Sequence, residues 1–275
     1  MTAPFGQRLR TAMDARGQLC VGIDPHAELL AAWGLSDDAA GVETFAMTCV
    51  EALGERVAVL KPQSAFFERH GSAGVAVLER VVAAARELGA LVLLDAKRGD
   101  IGSTMRGYAE AYLVTGAPIA VDALTVNPFL GFESLRPALD VAAANDAGIF
   151  VLARTSNPEG AQVQRARTGR GTVAGDVLAA IRSENADVIP LGSVGAVVAA
   201  NLPELSEDVA INGPLLAPGF GAQGGTLDDI RRLFTGVLSL VLPTTSRSVL
   251  TAGPDVAALR DEAQRVIESV CTALR

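Results

Sequence analysis

The chain alternates between two kinds of hydrophobic pattern. Short apolar runs bounded by Gly, Pro or Asp occur at 19–24, 57–63, 91–97, 117–127, 148–154, 188–194, 212–218 and 236–245. Their β-branched and aliphatic character is that of strands buried on both faces. Between them lie segments of helical period, clearest at 41–56, 72–89, 175–185 and 254–275. In the second of these, Val75, Leu78, Val82 and Ala85 repeat at three- and four-residue intervals, opposite Arg80 and Glu87. Eight strand candidates alternating with helices, without a linker or a shift in composition, predict a parallel (β/α)8 TIM barrel that takes residues 1–275 as one domain. An open doubly wound sheet is the competing architecture. Its Gly-rich turn after the first strand is absent, since that strand ends Gly22-Ile23-Asp24-Pro25-His26. The stretch 157–175, polar and Gly-rich with Arg165, Arg167 and Arg170, is expected to be a loop over the strand ends.

Composition narrows the partners. Hydrophobic residues make up 49% of 275 and aromatics only 4%, so Val, Leu, Ile and Ala must fill a sizeable core. The 23 basic against 31 acidic side chains leave a net charge of −8, which disfavours nucleic acid and still permits a small phosphorylated ligand in a local basic pocket. With two histidines, His26 and His70, no multi-His zinc site can be built. Cys20, Cys49 and Cys271 read as buried thiols of a reducing cytoplasm. The opening MTAPFGQRLR lacks the apolar core of a signal peptide, and no apolar run approaches the ~18–20 uncharged residues of a membrane span. A cytoplasmic protein without a membrane partner is expected.

Charged residues stand at the ends of the first three strand candidates: Asp24, Lys61, then Asp95 and Lys97. Side chains two apart on a strand share a face, so Asp95 and Lys97 should point the same way with Ala96 opposite. Active sites of such barrels gather at the C-terminal mouth. Any one of these charges is explained by a turn to solvent; a cluster of alternating sign asks for a reason, because burying charge is costly. A second constellation follows the seventh and eighth strands. The run Ala217–Thr226 is Gly-rich and precedes a helical start at Leu227, and Arg247 follows Thr245 and Ser246. Open backbone N–H groups, a helix N-terminus and a guanidinium together would suit a phosphate.

The segment LLDAKRGDIGST (93–104) carries Asp-x-Lys-x-x-Asp-Ile-x-x-Thr, which closely resembles the signature of the orotidine 5′-phosphate decarboxylases. GIDPH (22–26), Lys61, TSNPEG (155–160), APGFGAQGG (217–225) and TSRSV (245–249) agree in order, and LTVNPFLG (124–131) looks like the longer bacterial subfamily. The resemblance implies cofactor- and metal-free conversion of orotidine 5′-monophosphate to uridine 5′-monophosphate (UMP) and CO2, the last step of de novo UMP biosynthesis, in a homodimer with shared sites. It makes Lys61, Asp95, Lys97 and Asp100 the catalytic array, with Asp100, Ile101 and Thr104 contributed across the subunit interface. It places Asp24 on the ribose hydroxyls, Ser156 on the pyrimidine edge, and Pro218, Gln223 and Arg247 among the substrate contacts, the last two on the phosphate. Ser246 departs from a frequent glycine, and the insert around 165–170 has no counterpart. The segments 157–175 and 219–225 are the candidate lids.

Three other readings stay open. Sugar-phosphate decarboxylases and hexulose-phosphate synthases of the same superfamily resemble the chain in Asp-x-Lys-x-x-Asp but use Mg²⁺ with an acidic ligand at the end of strand two, where this chain has Lys61. A Schiff-base aldolase would need Lys61 or Lys97 with a depressed pKa. An inactive nucleotide-binding barrel would need no intact array.

Overall fold

Eight of the ten strands in the computed structural model, which describes residues 3–274, close into one parallel barrel. They are β1 (Cys20–Ile23), β2 (Val59–Pro62), β3 (Leu91–Arg98), β4 (Ala123–Val126), β5 (Gly148–Arg154), β8 (Val194–Val198), β9 (Leu215–Ala217) and β10 (Val241–Thr245). Around the barrel they follow chain order, and β10 returns to β1 through Cys20 opposite Thr244. The remaining pair, β6 (Arg167–Thr168) and β7 (Gly171–Thr172), is a small antiparallel hairpin outside the barrel. The open-sheet alternative is thereby removed.

Strand pleat divides the core in two. Cys20, Val59, Leu91, Leu93, Ala123, Phe150, Val197, Leu216 and Leu242 fill the barrel interior. Their neighbours Val21, Leu60, Val92, Leu94, Leu124 and Val151 pack outward against the helices. One element went unnoticed in the pattern: the helix Phe5–Arg16 plugs the N-terminal end of the barrel. Phe5, Leu9 and Met13 enter the interior cluster, and the Phe5 ring meets Phe150 edge-on with centroids 6.0 Å apart. Arg8 pins this plug, pairing with Asp122 and donating to the Asp146 carbonyl at 2.9 Å.

Several expectations need correction. The sixth barrel strand is 194–198 rather than 188–194; Ile189 is almost wholly exposed, and Pro190, which cannot donate to a ladder, follows it. The fourth and eighth strands are confined to the ends of the runs 117–127 and 236–245. In the helix Gly71–Glu87 the buried stripe is Val77, Leu78, Val81, Val82 and Ala85, and Val75 lies at its margin. The stretch 157–175 is not a plain loop, since it holds a 3-10 turn (Pro158–Gly160), a helical turn (Ala161–Gln164) and the hairpin. Cys20 and Cys49 are buried free thiols, whereas Cys271 is only half-buried.

Candidate active site

The inward face of β3 supplies the centre of the site. Leu91 and Leu93 fill the barrel, Asp95 continues that parity, and Lys97 returns to the same side. Simple alternation does not carry the lysine there. Lys97 has φ +48, and the pairing of β3 with β4 shifts register between Leu94 and Arg98. A left-handed non-Gly residue at a bulge is strained, by about 1–3 kcal/mol, and such strain is commonly held at functional sites. Lys97 Nζ lies 2.6 Å from Asp95 Oδ1. Lys61 Nζ, from β2, lies 3.3 Å from Asp95 Oδ2. The Thr125 hydroxyl of β4 donates to Asp95 Oδ1 at 2.9 Å and accepts the Lys97 backbone N–H at 3.0 Å, fixing both residues. Gly22 pairs with Lys61 in the β1–β2 register, and a Cβ there would come within 2.9 Å of Asp24 Oδ2. Glycine thus leaves Asp24 its place beside the lysine.

This row alternates in sign. Burial opposes the charge on Lys61, which is only 6% exposed, but Asp24 and Asp95 outweigh it and hold the ammonium pKa above its ordinary value. Burial likewise opposes ionisation of Asp95; Lys61 and Lys97, with hydrogen bonds from Lys97 and Thr125, win and bring its pKa down to about 2. Around neutrality Lys61 is therefore a cation and Asp95 an anion. Below them Cys20 is pushed up to about 11, chiefly by burial, and stays a neutral thiol.

Across the mouth, Gly219 (φ +91) and Gly221 (φ +79) adopt the left-handed conformation that turns the loop after β9. The Ala222 N–H donates to Ser248 Oγ at 3.1 Å, and Asn201 Nδ2 donates to the Gln223 carbonyl at 3.2 Å. Arg247 is exposed and makes no ion pair or side-chain hydrogen bond as donor among the described residues. Asp24 Oδ1, Thr245 Oγ1 and Ser246 Oγ are buried without a hydrogen-bond partner, an arrangement that asks for a polar ligand. The expected contribution of a helix N-terminus is corrected. The helix Leu227–Leu233 carries a capping box, which uses the amides of Thr226 and Asp229 and places the Asp229 carboxylate at the end expected to be positive.

A cavity of about 430 Å³ joins these parts, within the range that holds a small organic ligand. Asp24, Lys61, Asp95, Lys97, Ser156, Pro218, Gln223 and Arg247 all line it. Asp100, Ile101 and Thr104 do not; they leave β3 away from the cavity, and Ile101 is 61% exposed. Thr125, Asn201 and the rim pair His26–Phe66, with ring centroids 4.2 Å apart, are parts of the site that sequence reasoning missed or left as ordinary loop. Thr125 was legible as the polar residue of inward parity in Leu124-Thr125-Val126. A larger depression of about 830 Å³ lies beside the hairpin. Of the three arginines on it, Arg165 is turned to Glu204 and Arg170 to Asp176, which leaves Arg167 alone rather than a converging set of free cations.

Comparison with known proteins places the whole barrel in one family. The model of the orotidine 5′-phosphate decarboxylase / HUMPS family matches residues 17–261. An orotidine 5′-phosphate decarboxylase of Streptomyces coelicolor is 61% identical over 98% of both chains, and that of Corynebacterium efficiens is 47% identical over 94% of both. A Streptomyces avermitilis crystal structure, described as a candidate for the same enzyme, has TM-score 0.97 at 60% identity and covers 99% of this chain and 96% of its own. Leishmania donovani OMP decarboxylase has TM-score 0.77 at 28% identity over 98% and 99%. Matches that run from before β1 to the last helix, on a barrel whose mouth holds these charges, leave one conclusion: the chain belongs to the orotidine 5′-phosphate decarboxylase / HUMPS family.

Proposed function

We propose that the chain decarboxylates orotidine 5′-monophosphate to UMP and CO2, closing de novo UMP biosynthesis. The observation that carries this reading is Asp95 held between two ammonium groups, at 3.3 Å from Lys61 and 2.6 Å from Lys97. A divalent cation would need an anion where Lys61 stands. An aldolase would need a neutral amine, and both neighbours of Lys61 oppose one.

Loss of CO2 from C6 of the pyrimidine leaves the electron pair of the broken bond in an in-plane orbital that the ring cannot delocalise. The protein must stabilise that pair electrostatically. With the substrate carboxylate against Asp95, like charges repel before the bond breaks. The Lys97 ammonium then faces the developing carbanion and gives its proton to C6, ending as an amine that water reprotonates. Lys61 keeps Asp95 ionised, and Asp95 in turn keeps Lys97 aimed. Asp24, with an unpartnered carboxylate oxygen, accepts from the ribose hydroxyls. Ser156 meets the pyrimidine edge. Gln223, Arg247 and the loop amides hold the phosphate, with Pro218 beneath them, and this remote binding energy serves the reacting end. Asp100, Ile101 and Thr104 complete the site of a second subunit in a homodimer; the exposure of Ile101 and its distance from its own cavity support that assignment.

The test is direct. Purified protein should consume orotidine 5′-monophosphate with release of CO2, at a rate unchanged by EDTA. Absence of turnover, or turnover that chelation abolishes, contradicts the reading.

A further inference from the structure

Ser156 follows two residues that are tied down, Thr155 by the polar segment 157–175 and Arg154 by Glu207, which Thr172 of that segment also holds. Arg154, at the end of β5, is buried and donates through Nη1 to both carboxylate oxygens of Glu207, at 2.9 and 3.0 Å. The Thr172 hydroxyl donates to the same carboxylate at 3.0 Å. Thr155 is clasped by Gln164: its backbone N–H donates to Gln164 Oε1 at 3.0 Å, while Gln164 Nε2 donates to Thr155 Oγ1 at 2.7 Å. The Thr155 hydroxyl passes the chain on to Asn157 Oδ1 at 2.6 Å. Gly160 makes room for this clasp, because a Cβ there would come within 2.9 Å of both Gln164 Nε2 and Thr155 Oγ1. Ser156 itself lines the cavity, exposed.

The geometry points to Gln164 as a positioning residue that sets the Ser156 hydroxyl against the base edge of a pyrimidine nucleoside monophosphate. The inference rests on the nucleotide reading above. A primary amide offers an acceptor and donors in one plane, which matches the N–H and hydroxyl of a single threonine. Glutamate at 164 would lack the donor and asparagine would be one methylene short. Two-point capture of Thr155 removes backbone freedom next to Ser156, freedom that ligand binding would otherwise have to remove. The polar insert thus braces the base subsite and leaves the phosphate subsite alone.

The experiment compares Gln164→Met, Gln164→Glu, Ser156→Ala and the Gln164→Met/Ser156→Ala double variant, using calorimetric affinities for UMP and for ribose 5-phosphate together with kcat/KM. Gln164→Met should weaken UMP binding and lower kcat/KM about ten-fold, the effect of losing one ordered contact. Ribose 5-phosphate, which lacks the base, should bind as before. Gln164→Glu, which keeps the acceptor for the Thr155 N–H, should lose less than Gln164→Met. Added to Ser156→Ala, Gln164→Met should cost nothing further. Equal losses for both ligands, no advantage of Glu over Met, effects that multiply in the double variant, or an unaltered UMP affinity would each overturn the assignment. Failure of the wild type to turn over orotidine 5′-monophosphate would remove the proposed reaction alone, since the two affinities still decide what Gln164 does.

Discussion

Lys97→Ala is expected to lower turnover of orotidine 5′-monophosphate by ~10⁴-fold or more, because it removes the proton donor and the fixed cation at one stroke. The fold should survive. Lys97 is 44% exposed, and Asp95 keeps both Lys61 and the Thr125 hydroxyl. Binding should survive as well, since the phosphate contacts lie across the mouth from β3 and UMP has no carboxylate to balance. Steady-state rates followed by ultraviolet absorbance, with UMP affinity measured by calorimetry, separate the two effects. Residual turnover within about ten-fold of wild type would remove Lys97 from the chemistry.

Mixed dimers give the second large effect. Lys97→Ala and Asp100→Ala homodimers should each be inactive. Lys97 lines its own cavity, whereas Asp100, three residues on, leaves it and accepts the Ile101 N–H at 2.8 Å. If Asp100 serves the other subunit, a heterodimer concentrates both lesions in one site and leaves the second intact. About half of the wild-type activity per heterodimer is then expected, as follows from two-fold symmetry. Purified, verified heterodimers without recovery would place Asp100 elsewhere.

The array was legible because strand parity and strand ends are written in the sequence: Leu91, Leu93, Asp95 and Lys97 read as one face from their spacing alone. The means of aiming Lys97 was not legible. A left-handed lysine at a register shift depends on how β3 meets β4, and nothing local to Asp-Ala-Lys announces it. The misplaced sixth strand came from reading hydrophobicity without asking which residues can pair; Pro190 argued against 188–194, and Val194–Val198 continued unbroken just beyond. The plug helix is legible only in the recurrence of Phe5, Leu9 and Met13 every four residues, a stripe too short to stand out beside the polar Gln7, Arg8, Arg10 and Asp14. Thr226-x-x-Asp229 is a capping-box pattern visible in the sequence, and it already argues for a carboxylate at the start of the helix after the glycine loop. The ties of Thr155 to Gln164 and of Arg154 to Glu207 join residues distant in the chain or set within an irregular insert, where periodicity says nothing.

The orientation of the nucleotide is the point on which the chemistry turns, and a crystal structure of the assembled protein with UMP measures it. C6 of the base should lie about 3 Å from Lys97 Nζ, at hydrogen-bonding range, with the phosphate on Arg247 and Gln223 and the ribose hydroxyls on Asp24. A phosphate seated against Lys61 and Lys97, or a base whose C6 faces away from β3, would contradict the account.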